Sequence, residues 1–119
     1  MSYNRLLLLI NTLVFSCNGL DEQEDEVLIN LSGQLGIQHE LPWAMDFIKN
    51  DMKTAFLRTK DLVFSNTFSQ SPDTRLRLLT DAWKNSLLRG YVNELEAIVF
   101  IKLSKILEVE SDFISTIRD

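Results

Sequence analysis

The chain has 119 residues, of which 45% are hydrophobic and 24% charged. That length suits one domain that buries roughly 65% of its unfolded surface and needs no disulfide or metal staple. A formal net charge of -5 excludes a dedicated nucleic-acid binder, and no apolar run reaches the roughly eighteen residues of a membrane span.

Gly and Pro are scarce, four and two respectively, and β-branched residues form no short alternating runs, so an all-α fold is expected. The single cysteine, Cys17, excludes an intrachain disulfide and a thiolate-cluster metal site, and a reducing cytoplasm is the expected location. Residues 1–40 carry one Arg against six carboxylates, residues 41–90 eight Lys or Arg against five Asp, and residues 91–119 three against six. A solvated surface accounts for this basic middle band, which would also steer an acidic partner.

The spacing of Leu6, Leu9, Ile10, Leu13 and Val14 predicts a first helix over Asn4 to Cys17, widened by Leu7 and Leu8 into a central element. Asn18-Gly19 ends it. The same segment has a second reading, because Val14-Phe15-Ser16-Cys17 resembles a lipoprotein cleavage box that would anchor the protein through Cys17. Bulky Phe15 counts against the box, and a buried first helix is preferred.

Asp21 and Glu24 form a capping box that starts a second helix, with Glu22, Asp25 and Glu26 complementing its dipole. Val27, Leu28, Leu31 and Leu35 make its buried stripe, and Gly36 with Ile37 closes it. Pro42 suits the first turn of a third helix carrying Trp43, Phe47 and Ile48. Ala55 to Phe64 reads as a helix with Phe56, Leu57, Val63 and Phe64 on its face, and Asn66 to Ser71 as a loop. Ser71-Pro72-Asp73 starts a helix whose face is Leu76, Leu79, Trp83 and Leu87, with Leu78 and Ala82 beside it, ending at Gly90. Asn93 and Glu96 repeat the capping box before a helix from Glu94 to Leu107, and Ser111 caps a last helix through Phe113, Ile114 and Ile117.

Two stretches about 72 residues apart therefore match. Leu20 to Ile37 aligns with Val92 to Val109 without a gap, and each copy follows an apolar helix and a Gly turn. The expectation is one domain over residues 1–119, with repeat one at about 4–41, a variable middle segment at about 42–73 and repeat two at about 74–117. About six or seven helices would pack as two pseudo-twofold-related helix-turn-helix units, each covering an apolar face the other cannot bury alone.

An apolar helix, a Gly turn, Asp21, Glu24 and a Leu-rich helix ending Leu35-Gly36-Ile37 resembles the TerB-like (tellurite-resistance) domain, over roughly residues 4–41 and 74–117. The resemblance implies a bacterial, all-helical bundle that works in stress responses through protein partners, some of them in a membrane-associated resistance complex. It also implies a cation site built from clustered acidic residues. The matching positions are Asp21, Glu24 and Glu96, while Asn18 and Arg89 stand where the family often has Asp before Gly, and Asn93 stands opposite Asp21.

Those three carboxylates have two readings: helix caps, or oxygen ligands for a divalent cation such as Ca²⁺. No other cofactor is expected. Residues around Asn18 to Glu26 do not follow an EF-hand loop, and no Gly-rich phosphate loop, Gly-x-Ser-x-Gly turn or His-Glu-x-x-His helix occurs. Cys17 with His39, the one histidine, lacks a marked orienting carboxylate, so no enzyme is expected. Trp43 and Trp83, with Phe47, Phe56, Phe64 and Phe68, read as core. Arg75, Arg77, Lys84 and Arg89 share one helix, and Arg77, Lys84 and Arg89 are the candidate partner surface.

Overall fold

Ten consecutive residues, Leu6 to Phe15, are buried in the first helix. A helix that is apolar on every side must be surrounded, and the rest of the chain is arranged to do so. The structure is a computed structural model describing residues 1–119 except Asn18 and Asp119. Among the described residues it is all-helical: α1 (Tyr3–Ser16), α2 (Glu22–Gln34), α3 (Leu41–Lys49), α4 (Ala55–Ser65), α5 (Pro72–Ser86), α6 (Glu94–Ile106) and α7 (Glu110–Arg118). Three short 3-10 turns lie at Gln38–Glu40, Thr67–Ser69 and Leu87–Arg89. Helix α1 packs against α2, α3, α4, α5 and α6, and α7 lies on α5 and α6. The radius of gyration is 13.0 Å, close to the ~13.5 Å expected of one body of this length.

Two polar residues interrupt the α1 stripe, and both are satisfied. The Asn11 amide donates to the Ala82 carbonyl at 2.9 Å and accepts from Asn85 at 3.2 Å, tying α1 to α5. The Thr12 hydroxyl donates to Leu8 O at 2.8 Å. Beyond them α5, α6 and α7 share an aromatic cluster, with the Trp83 ring 5.2 Å from Phe100 and 6.1 Å from Phe113. Of the six aromatic residues expected in the core, Phe68 is 36% exposed.

Helix α5 buries Leu78, Leu79 and Ala82 and packs Leu76 and Trp83 against the core, as its leucines suggest, but it also takes Arg75 inside. Arg75, Leu78, Leu79, Ala82 and Ser86 are buried, whereas Leu87 is 42% exposed. Burial of Arg75 is possible because its guanidinium meets carbonyls that need a donor. Its Nε donates to Leu107 O at 2.9 Å, at the end of α6, and Nη1 donates to Ser69 O at 3.1 Å and Gln70 O at 2.5 Å. Helix α4 likewise buries Ala55, Thr59 and Val63, leaving Leu57 59% exposed.

Local starts and stops mostly follow the side-chain signals. Both capping boxes form, the Asp21 carboxylate accepting from Glu24 N at 2.8 Å and the Asn93 amide oxygen from Glu96 N at 2.9 Å. Gly19 and Gly90 have φ of +79° and +104°, the left-handed geometry of a helix stop. Asn18, expected to end α1 with Gly19, lies outside the described residues. Ser71 occupies the cap position of α5 but its side chain makes no cap hydrogen bond, and α7 starts at Glu110 rather than after Ser111.

The ends of α2 and α6 are built alike. Ile37 N donates to Ser32 O at 2.9 Å and Val109 N to Ser104 O at 2.9 Å, one residue past the left-handed position. That position is Gly36 in the first case but Glu108, at φ +63°, in the second. A side chain there costs roughly 1 kcal/mol. Glu108→Gly is therefore expected to raise the unfolding free energy by about 0.5–1 kcal/mol, read as a higher urea midpoint at unchanged m.

Tyr3 pins the start of α1 to α5. Its hydroxyl donates to Asp81 at 2.5 Å, and Arg77 lies 4.4 Å over its ring. Burial, and then the Asp81 carboxylate, push its ionisation from 10 up to about 12. The folded value lies above the unfolded one, so this contribution is complete below pH 10 and is lost as pH rises from 10 to 12. Because Tyr3 is only half-buried, the loss is about 1 kcal/mol after solvent screening. The stability of the Tyr3→Phe variant should fall less than that of the native chain across this interval.

Candidate functional site

The N-terminus of a helix leaves backbone N–H groups unpaired and carries roughly half a positive charge. In this chain the starts of α2 and α6 both point their third residues, Glu24 and Glu96, into the interior. Each glutamate first completes its own cap: Asp21 N donates to Glu24 Oε1 at 3.1 Å, and Asn93 N to Glu96 Oε1 at 3.1 Å. Both side chains are fully buried.

Between them lies Arg89. Its Nη1 is 3.2 Å from Glu24 Oε2, and its Nη2 donates to Glu96 Oε1. The guanidinium carbon is 5.4 Å from the Phe15 ring and 4.5 Å from that of Tyr91, and Nε donates to Tyr91 O at 3.3 Å. The Arg89 side chain is 3% exposed. Two carboxylates face one guanidinium and two helix starts worth roughly half a charge each, so the buried cluster is close to neutral. This balance offsets part of the cost of burying two glutamates, while Glu24 Oε2 and Glu96 Oε2 accept no hydrogen bond from the described residues.

That geometry redistributes the candidate residues. Asp21, Glu24 and Glu96 are not three free ligands. Asp21 is exposed and spends its carboxylate on the cap of α2, while the place between the two glutamates holds a guanidinium. A divalent ion there would need six or more oxygens and would meet Arg89 as a like charge, so these residues do not fit the cation reading. Among the described residues no group of three His, Cys, Asp or Glu side chains is placed to hold a metal ion.

Arg89 also leaves the candidate partner surface, because its side chain is turned inward to Glu24 and Glu96. Arg77 and Lys84 remain exposed on α5 and line a shallow groove with Asp73, Leu76, Thr80, Asp81 and Thr116. Two carboxylates in that groove offset the two cations. The remaining reactive side chains are not assembled into a site. Cys17 is half-buried, with its thiol pushed up by burial against the smaller opposing effect of Lys102. The His39 ring is 76% exposed and lies 3.5 Å from Glu40.

Residue spacing did not reveal the pairing of Arg89 with both glutamates. A signal was available, since Arg89 immediately precedes the Gly90 stop and two capping boxes place a carboxylate at the same depth. No family model, curated protein or solved structure matches this chain.

A surface feature was also missed. Among the described residues ten large apolar side chains are exposed, and Leu87, Leu88, Tyr91, Leu95 and Ile98 account for five of them within one short stretch. Leu88 borders Val27 and Asn30 of α2, whereas Ile98 lies on the outer side of α6; exposed apolar side chains gathered in one segment are candidates for contact with a partner.

Proposed function

We propose that the chain is a non-enzymatic helical interaction module, TerB-like in its repeated unit, acting in the cytoplasm in a bacterial stress-response assembly. The observation that carries this reading is the exposed apolar stretch from Leu87 to Ile98. It sits beside a buried charge cluster whose members all serve the fold. The two capping boxes, the like-built ends of α2 and α6 and the 72-residue offset support a duplicated ancestry. No described helix is long and apolar enough to cross a membrane, so contact with a membrane-associated complex would run through protein partners. Alternative anchoring through Cys17 would require cleavage after Ser16, removing the helix that fills the core.

The test is cross-linking in the native cell, with a photoreactive residue at Leu88 or Leu95, before and during tellurite or oxidant challenge. A defined cross-linked protein at these positions, and none from position Lys53, is the expected outcome. Repeated recovery of the uncross-linked chain alone would defeat the proposal.

A further inference from the structure

Helix α6 is apolar over more of its circumference than the core consumes. Val99, Phe100 and Leu103 are buried, yet Ile98 on the opposite side is 56% exposed and Leu95 on the flank is 54% exposed. A helix with apolar residues on both sides is ordinarily covered on both. Its outer groove is lined by Glu94, Ala97, Ile98, Ile101, Lys102 and Lys105, of which Ile101 is half-buried and also packs against the core.

Four of these residues, Glu94, Ile98, Ile101 and Lys105, follow at steps of four, three and four. That is the seam spacing by which one helix lies along another. The steps read the same in both directions, and the chemistry reads acid, isoleucine, isoleucine, base. An identical helix laid antiparallel therefore sets Glu94 opposite Lys105 of the second copy at both ends, and Ile98 opposite its Ile101. Leu95, beside the seam, meets the aliphatic stem of Lys102 of the second copy. A parallel arrangement would set glutamate against glutamate and lysine against lysine, which disfavours it.

We propose that this face is closed by a second copy of the chain, in an antiparallel α6–α6 contact on a twofold axis at the level between Ile98 and Ile101. The inference rests on the reading of this end of the molecule as a docking surface, and it names the occupant. Lys105 already lies 3.6 Å from Glu110 of α7, so Glu94 of the second copy completes an exposed three-charge network. A helix of thirteen residues is about 20 Å long. The contact is at the small end of specific interfaces, and its charged ends make it weaken in high salt.

Sedimentation velocity on the purified full chain, from about 10 μM to 1 mM at low and high salt, provides the test. Dimer that grows with concentration and falls with salt is expected, and Ile98→Glu should weaken it at least about tenfold. Glu94→Lys and Lys105→Glu should each sediment as monomer alone. An equimolar mixture should recover dimer, because each altered charge then meets its opposite on the other copy.

A native chain that stays monomeric at 1 mM, a dimer indifferent to Ile98→Glu, or a mixture no tighter than its components would overturn the inference. Circular dichroism confirms that each variant is folded. Should the chain be monomeric while cross-linking from Leu88 or Leu95 to a different protein persists, the second-copy inference fails and the docking reading stands.

Discussion

Arg89→Met should lower the unfolding free energy by about 3–5 kcal/mol, because it strands Glu24 and Glu96 without their cation. Few single substitutions cost this much in a domain whose total stability is about 5–15 kcal/mol. The expected signature is specific. Combining Arg89→Met with Glu24→Gln and Glu96→Gln removes the uncompensated charge and should recover most of the loss, since neutral amides can still accept the cap hydrogen bonds. Guanidinium chloride unfolding of the single and triple variants measures both. If the single variant does not fold, the triple variant and Glu24→Gln alone still decide the matter. A triple variant as unstable as the single one would show that packing against Phe15 and Tyr91, not charge, is what Arg89 supplies.

Arg75→Leu carries the second large effect, expected at about 3–4 kcal/mol. The buried guanidinium donates to Leu107 O, Ser69 O and Gln70 O and lies 4.6 Å over the Phe64 ring. Removing the donor leaves carbonyls buried without a partner, and each such group costs roughly 1–3 kcal/mol. The loss is local as well as global. Amide exchange in the Thr67–Ser69 turn and the last turn of α6 should accelerate more than in α1, where the substitution breaks no hydrogen bond. Arg75→Lys should recover part of the stability, since one ammonium cannot reach three carbonyls in the arrangement of a planar fork.

These two arginines show how far the sequence could be read. Helix existence followed from short-range chemistry, because Asp21 with Glu24 and Asn93 with Glu96 satisfy backbone N–H groups within one turn whatever surrounds them. The glycines after α1 and α2, and Gly90, likewise act through their own backbone. The fate of each arginine did not follow from such rules. Arg75 and Arg77 are two residues apart on the same helix, yet one is buried and the other exposed. What separates them is a set of carbonyls more than 30 residues away for Leu107 and five or six away for Gln70 and Ser69.

The edge of the α5 face was hidden for the same reason. Leu76, Leu79 and Trp83 meet the core as their spacing implies, but Leu87 does not, and burial of Arg75 depends on finding a neighbour for every polar group brought inside. Leu87 and its neighbour Leu88 instead belong to the exposed stretch that runs through Tyr91 to Ile98. Periodicity could not indicate that surface, because apolar residues at helical spacing read as core until the core is seen to be full.

Amino-acid order alone therefore determined the all-helical character, the main helix starts and stops, and the capping boxes that open α2 and α6, since each depends on contacts within about four residues. Only the tertiary structure decided that the two capping glutamates share Arg89, that Arg75 faces inward, and that α6 keeps an apolar side in water. Those outcomes turn on which charges and carbonyls meet across distant segments. Desolvation makes such encounters decisive, and local spacing carries no record of them.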